Sequence, residues 1–135
     1  MERQHTRHSG STRLPIWRDA NRLLVEIETA VRAFPRYHKY TVGSDLRVLA
    51  MRVCRLLARA LAATGEQRLA YVRQLLDTVG DLKITIQLAR EVQAFAGFAA
   101  FERSATLAVA LGKQGGAWLR RLSATGARPE SRAKG

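Results

Sequence analysis

Residues 44–65 read SDLRVLAMRVCRLLARALAATG, and this stretch decides the fold. Leu46, Leu49, Ala50, Val53, Leu57, Ala60 and Leu61 recur at helical steps and form a heptad-like stripe on one side. Ser44 reads as an N-cap, and Asp45 falls in the first turn, where the positive end of the helix dipole favours an acid. Thr64-Gly65 is a C-terminal stop.

The same periodicity extends outward from this helix. Upstream, residues 15–33 form a first helix that opens on Pro15, where a missing N–H costs nothing. Ile16, Ala20, Leu23, Leu24, Ile27 and Val31 share one face, with Arg18, Arg22 and Arg32 on the other. Phe34-Pro35 ends it, and an aromatic, basic loop follows: Arg36, Tyr37, His38, Lys39, Tyr40. Downstream, residues 66–95 keep the helical period through Leu69, Val72, Leu76, Val79, Leu82, Ile86, Ala89 and Val92. Gly80 weakens that helix by about 1 kcal/mol relative to Ala, and residues 83–87 alternate as a strand would, but the longer period prevails. After a break near Ala96-Gly97, a fourth helix spans residues 99–122 and stops at residues 123–126. Four amphipathic helices with short connections predict an all-α, up-down-up-down four-helix bundle over residues 14–122. Flexible basic tails are expected at residues 1–13 and 123–135.

The chain has 135 residues, enough for one domain with a single core. No apolar run approaches the roughly 18 residues of a membrane span, and the polar, basic N-terminus carries no secretory signal. No membrane association and a cytoplasmic location are therefore expected. Cys54 sits in an apolar stretch and reads as a buried, inert thiol. Charge says more. The chain carries 23 Lys and Arg against 11 Asp and Glu, a formal +12. Four-fifths of the basic residues are Arg, which forks onto phosphate. Each tail holds three basic residues and one Glu, so +8 remains on residues 14–122. A field of that sign attracts polyanions.

Catalytic constellations are missing from the sequence. His5 and His8 stand in the N-terminal tail without carboxylate or thiol support, and His38 lies in the aromatic loop. No helix carries a Glu-x-x-His pair, and Gly115-Gly116 lacks the Lys-Ser/Thr of a phosphate loop. No enzyme activity, metal or cofactor is expected. Binding has better candidates. Arg52, Arg55 and Arg59 fall within roughly 60° of one another on their helix, about 100° from the apolar stripe. No acid stands beside them on that helix, so they form a ridge suited to a phosphate backbone. Arg18 and Arg22 form a weaker face, flanked by Asp19, Glu26 and Glu28. Arg36 and Lys39, interleaved with Tyr37, His38 and Tyr40, suit phosphates and stacked bases. Capping of the bundle by Phe34, Tyr37 and Tyr40 is the favoured alternative for that loop. Gly112, Gly115 and Gly116 precede Trp118 at helix-packing spacing, against either the same chain or a second subunit.

FPRYHKYTVG at residues 34–43 resembles the loop of the accessory variability determinants, four-helix-bundle proteins of diversity-generating retroelements. LGKQGGAWL at residues 111–119 is similar to that family's glycine-rich, tryptophan-bearing end, except that Ala117 separates the paired glycines from Trp118. Leu88-Ala89-Arg90 fits the third helix, and the resemblance covers about residues 14–122. It implies a non-enzymatic, barrel-like homopentamer that binds RNA and DNA. It also implies association with the retroelement's reverse transcriptase and template RNA, supporting adenine-mutagenised cDNA synthesis. Two other readings stand beside it: a related bundle protein of the kind encoded in ribosomal RNA intervening sequences, without a polymerase partner, and a basic protein–protein adaptor.

Overall fold

The computed structural model describes residues 14–134, with side chains through residue 125. The helices are α1 (Pro15–Arg32), α2 (Arg36–Lys39), α3 (Val42–Ala62), α4 (Gly65–Glu91) and α5 (Phe98–Lys134), and the described residues contain no strand. α1 packs on α3 and α5, and α4 packs on the same two helices, so the four long helices close into a ring. α1 and α4 are diagonal partners, as are α3 and α5. The bundle expected from the periodicity is present.

Leu23 and Ile27 from α1, Leu46 and Leu57 from α3, Leu82 and Ile86 from α4, and Leu111 from α5 are completely buried. Leu24, Leu49 and Leu61, placed on the apolar stripes by periodicity, are only partly buried at the helix seams. In α4 the buried face rotates toward Leu75 and Thr78, leaving Leu69 and Leu76 half-buried. Gly80 and residues 83–87 lie inside the unbroken helix.

The first connection departs from the expected loop. Residues 36–39 coil into α2, whose His38 and Lys39 N–H groups donate to the Pro35 carbonyl at 2.9 and 3.0 Å. α3 then begins at Val42, so Ser44 is not its cap. Thr41 occupies the cap position, but its hydroxyl donates back to the carbonyls of Tyr37 and His38, both at 3.3 Å. Gly43 explains the tight turn. A Cβ there would lie 2.9 Å from Val31 Cγ1 and 3.1 Å from the His38 carbonyl oxygen.

α4 stops at Glu91, short of the expected residue 95. The Ala94 N–H donates to the Ala89 carbonyl and the Gln93 N–H to the Arg90 carbonyl, both at 2.9 Å. That is a Schellman ending, with Gln93 in the left-handed position at φ 61° where glycine is usual. The fully buried Ala94 packs under it. α5 runs past residues 123–126 to Lys134, although Gly126 and Pro129 within that stretch are poor helix formers. Residues 1–13, with His5, His8 and the expected N-terminal tail, lie outside the described residues.

Two of the α5 glycines are used within the chain. A Cβ on Gly115 would meet Leu76 Cδ2 at 2.8 Å, and one on Gly112 would touch Val79 Cγ1 at 3.8 Å. The glycine spacing therefore serves the approach of α5 to α4. Cys54 is free, its Sγ donates to the Ala20 carbonyl at 3.6 Å, and burial pushes its thiol pKa up. Among the described residues, no helix is long and apolar enough to cross a membrane.

Two glycine substitutions should have opposite signs in urea denaturation. Gly43→Ala is expected to destabilise by about 1–3 kcal/mol through overpacking. Gly80→Ala meets nothing within 4 Å and should stabilise by roughly 0.5–1 kcal/mol. Equal effects at the two positions would contradict the close approach of α3 to the end of α1.

Candidate nucleic-acid interface

Which cations are available depends on where the few acids go. Glu28 accepts from Arg47 Nε at 2.6 Å, which ties α1 to α3. Glu26 accepts from Arg103 Nε at 3.1 Å, which ties α1 to α5. Asp19 accepts from Gln114 Nε2 at 2.7 Å and lies 3.7 Å from Arg18 Nε. The acids expected to weaken the Arg18 and Arg22 face thus bond to neighbouring helices, while Asp19 and Glu26 remain beside that face. Arg22 enters no ion pair among the described residues, and Arg18 only the long one. Both line an open groove along α1 with Trp17, Asn21, Val25, Glu26 and Leu107, so the Glu26 carboxylate stays beside these cations even though it also accepts from Arg103.

The ridge on α3 loses part of its expected advantage. Arg52, Arg55 and Arg59 are all exposed, and none enters an ion pair among the described residues. Arg52, however, shares a shallow groove with Gln74, Asp77 and Asp81 of α4. An acid-free surface was expected from one helix alone, and the carboxylates arrive from its neighbour. Arg55 and Arg59 lie one turn apart, about 6 Å along the axis, beyond that groove.

The α2 turn reverses an expectation. Phe34 alone caps the bundle, 4% exposed, with its ring edge-on to Phe95 at 5.2 Å. Phe95 stands edge-on to Phe101 at 5.7 Å, and the Arg90 guanidinium lies 4.7 Å over Phe101. Tyr37 and Tyr40 are not part of that cap, at 81% and 68% exposed. The Tyr37 ring stands edge-on to that of His38 at 5.1 Å within the turn. Arg36 is exposed and Lys39 half-buried on the same turn. Two open rings among two cations can stack bases and hold the adjoining phosphates.

These residues do not converge on one point. Arg52 borders α4 and Arg22 borders α5, so the two grooves fall on opposite sides of the ring. α2 sits near the start of α3, and Arg59 is about 26 Å along the helix from Val42. What results is a set of separated cationic surfaces on a rigid barrel, suited to a long polyanion. Among the described residues no cluster of His, Cys, Asp and Glu could hold a metal ion.

Fold and surface together define a class, a basic four-helix bundle with cations on several faces and an exposed aromatic turn. No protein-family model and no curated protein matches the chain.

The salt dependence of binding to single-stranded RNA should separate these surfaces. Replacing Arg55 and Arg59 with Ala should flatten the slope of log affinity against log salt by about 1.4, from roughly 0.7 per phosphate contact on a single strand. Adding Arg52→Ala should change it by less than about 0.5, because Asp77 and Asp81 already face that cation. Folding stability should stay within about 0.5 kcal/mol. An unchanged slope in the folded double variant would place the phosphate contacts on other faces.

Proposed function

We propose that this chain is a non-catalytic, nucleic-acid-binding accessory subunit of a diversity-generating retroelement. It associates in the cytoplasm with the element's reverse transcriptase and template RNA and supports mutagenic cDNA synthesis. The observation that carries the reading is the open turn of Arg36, Tyr37, Lys39 and Tyr40. It lies within the segment that resembles the family, and its aromatic side chains contribute little to the core. The +12 charge, dominated by Arg, points to the same ligand class.

A homo-oligomer, with five subunits by the resemblance, is part of the proposal. Val25 and Val48 are both 64% exposed. Val25 stands with Arg18, Arg22 and Glu26, a rim of net positive charge, on one side of the bundle. Val48 stands with Ile84, Asp45 and Asp81 on the other. Apolar groups rimmed by opposite charges on opposite sides suit head-to-tail contacts, which close into a ring when the rotation permits.

The decisive experiment reconstitutes cDNA synthesis from the reverse transcriptase and template RNA encoded beside this gene. Adding the protein should increase adenine-mutagenised product, and the Tyr37→Ala, Tyr40→Ala double variant should give much less. RNA binding without any effect on the polymerase would favour the intervening-sequence type of protein. Preference for an acidic protein over RNA would favour an adaptor. Light scattering should give a multiple of the 15.0 kDa chain mass, reduced by Ile84→Lys. A monomer at all concentrations would rule out the oligomer.

A further inference from the structure

The end of the bundle opposite Phe34 holds a cavity of about 430 Å³ that none of the surfaces above includes. Leu14, Pro15, Ile16, Leu61 and Trp118 form its apolar wall, and Arg68, Gln114 and Arg121 supply its polar groups. Among the described residues no carboxylate lines it.

Each polar group has a definite state. Arg68 Nε and Nη2 donate to the carbonyls of Ala60 and Leu61 at 2.9 and 3.0 Å. Those bonds satisfy the last turn of α3, hold the guanidinium rigid and offset part of its charge. The same guanidinium lies 5.9 Å over the Trp118 ring. Gln114 Nε2 donates to Asp19, and since a carboxylate only accepts, the amide oxygen remains an acceptor. Arg121 is exposed and enters no ion pair among the described residues. Trp118 and Arg68 are both half-buried, and Trp118 packs against the core cluster.

We propose that this cavity binds one nucleotide of a single-stranded RNA or DNA, with the base against Trp118 and the phosphate on Arg121. The volume lies in the usual range for small ligands, about 300–1,000 Å³. Aromatic stacking accepts any base, and a guanidinium matches phosphate geometry. The Gln114 amide oxygen can accept from a ring N–H or an exocyclic amine. A simple apolar carboxylate would leave that oxygen without a donor. The inference rests on the reading of the chain as a nucleic-acid binder and adds to it a point where a base is held.

Trp118 is itself the reporter, because the chain has only one other tryptophan, Trp17. Full-length protein carrying Trp17→Phe is titrated with oligouridylate of about 15 nucleotides, near the longest site of a single-strand binding module. Uridine monophosphate is titrated separately, and the anisotropy of labelled strand is followed in parallel. The strand should quench Trp118 emission. Arg121→Ala should raise the midpoint about tenfold, with Arg121→Lys between. Arg120→Ala, an exposed neighbour outside the cavity, should change it by less than about twofold. Binding seen by anisotropy with unmoved Trp118 emission overturns the cavity assignment and leaves nucleic-acid binding intact. Quenching by the mononucleotide alone overturns assignment to a strand. Absence of both signals overturns the cavity and the wider reading together.

Discussion

Four apolar stripes meeting along one axis carry the rest of this structure. Leu23, Ile27, Leu46, Leu57, Leu82 and Ile86 are excluded from solvent, each stabilising the fold by about 1.5–3 kcal/mol. That seam must offset the mutual repulsion of a strongly cationic surface. Because cohesion comes from the interior, the outer faces are free to remain charged. The cations can then serve a ligand instead of the fold.

The acids qualify this division. Asp19, Glu26 and Glu28 all belong to α1, and they join it to α5 through Gln114 and Arg103 and to α3 through Arg47. Exposed pairs of this kind contribute only about 0–1 kcal/mol each. Their larger effect is on the surface, because Glu26 and Asp19, though engaged by Arg103 and Gln114, still stand beside Arg22 and Arg18 and reduce the charge of that face. Asp77 and Asp81 act in the same direction by facing the groove at Arg52. The cationic surface is therefore shaped as much by where the carboxylates go as by where arginine is abundant.

The two ends of the barrel are built differently. Phe34, Phe95 and Phe101 close one end with edge-on rings, and that tight cap leaves Tyr37 and Tyr40 outside it. At the other end Arg68 takes the last carbonyls of α3 and leaves Trp118 beside a cavity. A strand crossing the outer faces between these ends would meet aromatic groups at both and arginines along the way.

The sequence by itself determined the four long helices, since a stripe such as Leu46, Ala50, Val53 and Leu57 is a local periodic signal, but not the short α2, which has no such stripe. It also determined the net charge and the Arg52, Arg55 and Arg59 ridge, because residues three and four apart share a helix face whatever packs behind them. Helix ends were less legible. Gln93 takes a left-handed conformation that composition would assign to glycine, and Gly43 permits an earlier start for α3 through its contact with Val31. Only the tertiary structure decided which cations stay free, that Tyr37 and Tyr40 lie outside the cap, and that Arg68, Gln114 and Trp118 share a cavity. Those properties depend on side chains from different helices meeting in space. Gln114 and Asp19 are 95 residues apart, and no local periodicity encodes a pairing over that separation.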